Sequence, residues 1–259
     1  MNDVLEVLLK RKSVRAYTDQ PISAEVKAQI LQATLRAPTA GNMMLYSIID
    51  VTDQRLKDRL AVTCDNQPFI AKAPMVWLFL ADYQRWMDYF LHSGVEAACA
   101  SRGDPFRKPE EGDLFIACCD ALIAAQNAVI AAESLGLGSC YIGDILEQHE
   151  THRDLFSLPR YAFPICLLCF GYPTQGQIDR LRTSRFDEKF ILFKDRYHPL
   201  VGDEFEEMFR ELEAVRAKNA GPDMPPNFGQ AMYFRKFGAD FSIEMNRSVR
   251  AMLKAWTGY

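Results

Sequence analysis

Along the first two thirds of the chain, apolar positions spaced three and four apart alternate with short apolar runs, which predicts a sheet covered by helices rather than a bundle or a sandwich. Val4, Leu5, Leu8 and Leu9 fall on one face of a first helix. Pro21 and a Ser23 cap introduce a second, with Val26, Ile30, Leu31 and Leu35 turned inward and an end near Ala37 and Pro38. Residues 45–51 and 75–80 read as strands, the second apolar at every position and so covered on both faces. Between them, residues 54–63 read as a helix capped by Asp53. The pattern weakens from Gln84 to Pro109, and residues 101–109 predict an exposed loop. Segment 84–112 is readable as an insertion or a lid.

Residues 114–135 predict a helix apolar nearly all round, with Ala121, Ala124, Ala125, Ala128, Ala131 and Ala132 allowing neighbours to approach closely. At about 1.5 Å per residue it spans on the order of 30 Å, the width of a domain. Gly136 is placed to stop it in a left-handed conformation. Strands over 139–142 and 163–170 follow, separated by a helix around 148–156. After Phe186 the composition changes to a charged helix over 203–218, a Pro-rich break over 221–226 and an amphipathic helix over 241–256. The expected organisation is a core over 1–200 and a helical extension over 201–259 that wraps a partner subunit.

Composition narrows the function. The chain has 259 residues, 49% of them apolar, and a formal charge of -4, which excludes a fibrous or disordered architecture and offers no basic face to a nucleic acid. The start carries acids where a secretory signal would carry lysines, and no apolar run reads as long enough to cross a bilayer. Seven cysteines, an odd count scattered through apolar segments (Cys118, Cys119, Cys140, Cys166 and Cys169 among them), suit buried reduced thiols and a cytoplasmic location. Cys166 and Cys169 have Cys-x-x-Cys spacing, but on a strand period 2 sends them to opposite faces, so they read as core. His92, His149, His152 and His198 lack metal-ligand spacing, His149 and His152 reading as an exposed helical pair, and no metal is expected. Neither a Gly-x-Ser-x-Gly elbow nor a Gly-Lys-Ser/Thr phosphate loop occurs.

Four segments carry candidate chemistry. In residues 11–15, alternation places Arg11, Ser13 and Arg15 on one side of an extended segment leaving a helix. That is either a phosphate cradle or a solvated basic turn at a helix C-terminus. Residues 37–42 form a small-residue loop in which Gly41 lets a backbone approach a flat ligand. Residues 136–144 form a glycine-punctuated strand whose Gly136, Gly138 and Gly143 lack the dinucleotide-binding spacing. Arg180, Arg182 and Arg185 form a second basic cluster, which is either solvated surface or a partner of the first.

Taken in order, these segments resemble the FMN-dependent nitroreductase family, most closely its oxygen-insensitive, NADPH-preferring flavin reductase branch. The likeness spans residues 1–200, and its most specific stretch is 121–143, Ala-Leu-Ile-Ala-Ala-Gln-Asn-Ala-Val-Ile-Ala-Ala-Glu-Ser-Leu-Gly-Leu-Gly-Ser-Cys-Tyr-Ile-Gly. The resemblance implies an α+β fold: a central, mostly antiparallel sheet flanked by helices around a long buried central helix, with a C-terminal tail wrapping the partner of a homodimer. It implies that Arg11, Lys12, Ser13 and Arg15 hold the FMN phosphate and ribityl chain, with Arg180 and Arg182 closing on the phosphate. Thr39 and Asn42 would flank the flavin, Gln67 would contact the ring edge, and Tyr141, Ile142, Gly143 and Asp144 would lie along the ring with the last backbone N–H donating to N5. Outside that likeness, the basic pair Arg235 and Lys236 is a separate candidate for the 2'-phosphate of NADPH. The chain departs from the branch at residues 43–46, Met-Met-Leu-Tyr, and at Asp144, where the branch has glycine.

The implied activity is transfer of hydride from NADPH or NADH, by a ping-pong mechanism, to a nitroaromatic, quinone or free flavin, with no catalytic side chain because the flavin carries the chemistry. A dehalogenase, dehydrogenase or flavin destructase on the same fold is the enzymatic alternative, and a non-catalytic flavin-binding protein the other.

Overall fold

A computed structural model describes residues 2–219, 221 and 224–258. In chain order its elements are α1 (Asp3–Lys10), α2 (Ala24–Leu35), β1 (Tyr46–Asp50), α3 (Gln54–Thr63), α4 (Phe69–Lys72), β2 (Met75–Asp82), α5 (Gln84–His92), α6 (Val95–Arg102), α7 (Glu111–Ser134), β3 (Gly138–Ile142), α8 (His149–Leu155), β4 (Ala162–Gly171), α9 (Gln175–Asp179), α10 (Gly202–Lys218), α11 (Phe228–Met232) and α12 (Asp240–Thr257). Capping follows the sequence: Asn2, Ser23 and Asp53 side chains accept the orphan amides of Leu5, Val26 and Arg55.

The strands form one antiparallel sheet in the order β1-β2-β4-β3. Its central pair is apolar on both faces because helices cover both, and β2 is buried at every position. Trp77, Phe79, Cys166, Leu168 and Phe170 face α2 and the alanines of α7 on one side. Val76, Leu78, Leu80, Leu167 and Cys169 face α3 and α4 on the other. Cys166 and Cys169 thus lie on opposite faces of β4, as period 2 requires. Along α7, Ala121, Ala124, Ala125, Ala128 and Ala132 are fully buried, so the helix backbone lies close on the sheet.

Several expectations are corrected. Only one face of α7 is buried in the chain; Phe115, Ile116, Leu122 and Ile123 on the other are exposed, and so is Cys119. The apolar face of α1, with Val4, Leu5, Leu8 and Leu9, also points outward, as do Leu31 and Leu35 of α2. Periodicity identifies an apolar face but not whether the covering surface belongs to the same chain. By length and composition α7 could cross a membrane, contrary to the sequence reading; here its apolar length is the core helix of the sheet. His149 and His152 are buried rather than exposed. α12 roofs α8, Ser248 Oγ accepting the His149 amide at 2.9 Å, and the His149 ring meets Phe163 edge-on. Within residues 84–109, where the pattern weakens, the chain folds as α5 and α6 up to Arg102.

The chain divides into two compact units, residues up to 180 together with 244–258, and residues 181–243. The expected boundary at residue 200 falls inside the second. That unit is organised around α10, where Lys189 pairs with Glu207 at 2.6 Å and Phe209 packs between Phe186 and Phe228. α11 runs into a π-helical turn over Tyr233–Phe237. Within the Pro-rich break, Pro222 and Asp223 lie outside the described residues.

Candidate functional site

At Arg11 the backbone leaves α1 and becomes extended, and the next residues run beside β3. Val14 donates to the Ser139 carbonyl at 2.8 Å, and a single parallel bridge joins Ser13 to Ser139. This approach requires Gly138: a Cβ there would stand 2.4 Å from Val14 Cγ2. Arg11, Ser13 and Arg15 therefore gather over the edge strand. Burial pushes the Cys140 thiol up, with Arg15, Arg11 and hydrogen bonds from Ser13 and Arg15 acting against it, which places all three around that thiol. Burial also raises Glu133, whose carboxylate accepts from Ser139 Oγ at 3.1 Å and feels Arg11 and Lys12. Arg11 Nη1 is buried and has no hydrogen-bond partner among the described residues. A desolvated guanidinium nitrogen without an acceptor is costly unless an anion completes it.

The second basic cluster reaches the first through Arg180. Lys12 Nζ donates to the carbonyls of Ile178 at 2.6 Å and Arg180 at 2.5 Å. Arg180 Nη2 donates to the Ser13 carbonyl, and Gln177 Oε1 accepts from the Arg15 amide at 3.2 Å. Lys12 thus directs two of its three donors to backbone and works as a clamp. Arg182, Arg185, Arg235 and Lys236 belong to the second unit. There Arg185 Nη1 donates to the Thr183 hydroxyl at 2.8 Å, Arg235 Nη2 to Met232 Sδ at 3.0 Å, and Lys236 lies 4.9 Å from the Phe241 ring centre.

Gln67 joins from the other side. α3 ends with Asp65 and Asn66 both left-handed, residue types that tolerate that region, and the reversal turns Gln67 back towards β3. Its Nε2 donates to Asp144 Oδ2 at 2.7 Å and to the Cys64 carbonyl at 2.9 Å. Two residues on, the Phe69 ring lies 5.9 Å from the Arg15 guanidinium, tying this turn to the basic cluster. The space in front of Gly143 is open, and Gly143 and Asp144 begin a 3-10 turn whose first amides have no acceptor within the turn. Ile142 is buried, and the Tyr141 hydroxyl donates to Gln126 Oε1 at 3.2 Å, so this strand offers a ligand backbone rather than those two side chains. From Cys140 to Ile142 the strand covers roughly 7 Å at about 3.3 Å per residue, and the chain then turns at Gly143. The site therefore has a cationic end and a hydrogen-bonding end separated by an open backbone floor.

Thr39 and Asn42 are not brought to that cluster within one chain. Gly41, Asn42 and Met44 have positive φ, and the loop closes on the buried Asp120 of α7. Asp120 accepts from the Thr39 hydroxyl, the Ala40 amide at 3.0 Å and the Leu45 amide at 3.1 Å. Asp120 and Glu133 are thirteen positions apart on α7, about 20 Å along the helix. α5 buttresses the same loop: Trp86 Nε1 donates to the Met43 carbonyl at 2.7 Å, and Arg85 Nη2 to the carbonyls of Met44 at 2.7 Å and Tyr46 at 2.9 Å. The start of the 84–112 segment is therefore anchored to the core rather than free as a lid, and residues 43–46 contribute carbonyls that are already taken.

Asp120, Glu133 and Glu147 escaped the sequence reading. Asp120 and Glu133 interrupt an apolar helix, a signal that was present; Glu147 lies in an ordinary polar stretch and gives none. Among the described residues no group of three or more His, Cys, Asp and Glu is placed to hold a metal ion.

Arginines gathered at one end of an edge strand whose other end is open backbone fit a flat, phosphate-bearing cofactor. The Nitroreductase family model matches residues 8–172, and the chain belongs to that family. It is 28% identical over 228 residues to an oxygen-insensitive NADPH nitroreductase of Salmonella typhimurium, covering 86% of this chain and 88% of that one. It is 33% identical over 174 residues to an FMN reductase (NADPH) of Bacillus subtilis, covering 67% of each. The structure of NfrA2 from B. megaterium superposes with a TM-score of 0.79 at 26% identity, over 99% of this chain and 98% of that one.

Proposed function

We propose that this protein is an FMN-dependent oxidoreductase that takes electrons from NAD(P)H and reduces small acceptors, namely nitroaromatics, quinones or free flavin, in a ping-pong cycle. The observation that carries the reading is the unpartnered, buried Arg11 Nη1 at the cationic end of the cleft, a donor that a phosphate oxygen completes.

The donor set fits FMN. Arg11, Ser13, Arg15 and Arg180 would hold the phosphate, with Lys12 fixing the two segments that carry them. Tyr141, Ile142 and Gly143 would underlie the ring through their backbone, and Gln67 and Asp144 would meet its polar edge. FMN, when bound, supplies the two-electron chemistry, accepting electrons and a proton from the nicotinamide and passing them on. The protein supplies orientation and electrostatics: the arginines neutralise phosphate charge, and the amides at the head of the 143–146 turn point donors at the cofactor. No side-chain nucleophile is required.

A homodimer is part of the reading. The exposed apolar faces of α1, α2 and α7 are the wrong surface for a monomer in water and the right one for a second copy. In such a pair the Thr39–Asn42 loop, remote from the basic cluster of its own chain, can serve the partner's cleft. Leu181, Leu192 and Phe237, exposed in the second unit, suit a segment that wraps another copy. The seven cysteines are free thiols among the described residues, consistent with a cytoplasmic enzyme.

Steady-state kinetics test the proposal. Parallel double-reciprocal lines for NAD(P)H against a quinone, dependent on added FMN, are expected, and sedimentation should give a dimer. An FMN-loaded protein without NAD(P)H turnover would contradict it and favour a specialised flavin enzyme or a flavin-binding protein.

A further inference from the structure

At the end of the cleft opposite the arginines, four carboxylates surround one turn. Asp144 and Glu147 lie on the 3-10 turn after β3, Asp65 on the reversal after α3, and Glu244 on α12, where its Oε1 accepts the Gln148 amide at 3.1 Å. Glu147 is buried, 5% of its surface remaining exposed, and its Oε1 has no hydrogen-bond partner among the described residues. Among the described residues no base balances its charge: Asp144, Asp65 and Glu244 act on it as like charges, and Arg247 is bound to Glu244 and Glu150. The remaining titratable neighbours are the Cys64 thiol, held up chiefly by burial, and His152, whose neutral form burial favours. Burial first, then Asp144, Asp65 and Glu244, raises Glu147 to about 7. Asp144 is the member that reaches the cleft, its Oδ2 fixed at 2.7 Å from Gln67 Nε2 beside the open space at Gly143.

Resting on the reading of the cleft as an FMN site, we propose that Asp144, oriented by Gln67 and backed by the buried Glu147, sets the reducing power of the bound flavin. Two electrons and one proton arrive together from NAD(P)H, so the reduced cofactor gains one negative charge. A carboxylate at the ring end of the cleft opposes that charge, while the arginines gather around Cys140, before the turn that carries Asp144, and are engaged with phosphate. The bound cofactor is made a stronger reductant than the arginines alone would leave it, which favours acceptors of low potential. Glu147 adds a second opposing charge as pH rises through about 7, so the effect grows on the alkaline side.

The test is the midpoint potential of FMN-loaded wild type, D144N and E147Q, each equilibrated anaerobically with a redox dye at pH 6 and pH 8, with FMN occupancy read from the same spectra. D144N is expected to raise the reduced-to-oxidised ratio at a fixed poise about three- to tenfold at both pH values, tenfold corresponding to about 30 mV for a two-electron couple. E147Q is expected to match wild type at pH 6 and to rise at pH 8. Should D144N fail to retain FMN, D144G carries the same expectation. A flavin-loaded D144N or D144G with the wild-type potential overturns this inference while leaving the FMN site standing, and an E147Q effect that is equal at both pH values removes Glu147 from it. A wild type that takes up no FMN overturns both.

Discussion

Lys12 and Arg180 hold each other's backbones. The Lys12 ammonium donates to the Arg180 carbonyl at 2.5 Å, and the Arg180 guanidinium donates to the carbonyl of Ser13, the residue after Lys12. Two segments 167 positions apart are thereby locked side by side, with Arg11, Arg15 and Arg180 converging on one end of the cleft. Charge-assisted hydrogen bonds of this kind contribute about 1.5–3 kcal/mol each. Lys12→Met should raise the FMN dissociation constant at least tenfold with little change in kcat at saturating FMN, as measured by fluorescence titration. Unchanged affinity would mean that the clamp is ornamental.

Arg11 should behave oppositely in the presence and absence of cofactor. Its Nη1 is desolvated and unpartnered in the chain alone, so Arg11→Met should leave the apoprotein as stable as wild type or more so. The same variant should lose most of the rise in Tm that FMN confers. A calorimetric scan with and without FMN checks both halves.

Asp120 closes the 39–45 loop by accepting three hydrogen bonds in a buried setting. Asp120→Ala strands the Ala40 and Leu45 amides and the Thr39 hydroxyl, and should cost about 3–5 kcal/mol in denaturant unfolding. Hydrogen exchange should rise first at residues 40–45. The conservative Asp120→Asn can accept only through one oxygen and should fall between.

The architecture was legible where one chain determines the outcome. The burial of residues 75–80 of β2, the Ser23 and Asp53 caps, the left-handed Gly136 and the opposite-facing Cys166 and Cys169 follow from local periodicity and turn chemistry. What failed depends on surfaces brought from elsewhere. Leu31 and Leu35 read as inward because an apolar face looks the same whether its own chain or another covers it. His149 and His152 read as exposed because nothing in their own helix announces that α12 will cover it. In the candidate site, the expectation that Arg180 closes beside the Arg11 segment and that Gln67 and Asp144 both meet the ring followed from the resemblance. Lys12 as a clamp and Asp120 as the anchor of the loop did not, since a hydrogen bond between residues 81 positions apart leaves no trace in spacing.

Glu147 gives a pH signature opposite in sign to that of an ion-paired carboxylate such as Glu150. Its value in the fold is raised from 4.5 to about 7, so its contribution to stability is fully present below about 4.5 and is lost as pH rises to about 7. Glu147→Gln mimics the protonated form at every pH. The Tm difference between variant and wild type should therefore be near zero at pH 4 and positive at pH 8, with the change centred between. A constant difference across that range would show that Glu147 is not buried against like charges.

The most direct test of the central claim is the absorbance spectrum of the purified protein loaded with FMN, recorded anaerobically before and after stoichiometric NADPH and, separately, NADH. Flavin bands that bleach with at least one nucleotide and return on adding a quinone or nitroaromatic are the predicted result. Failure of the protein to bind FMN, or bound FMN that neither nucleotide bleaches, would contradict the account.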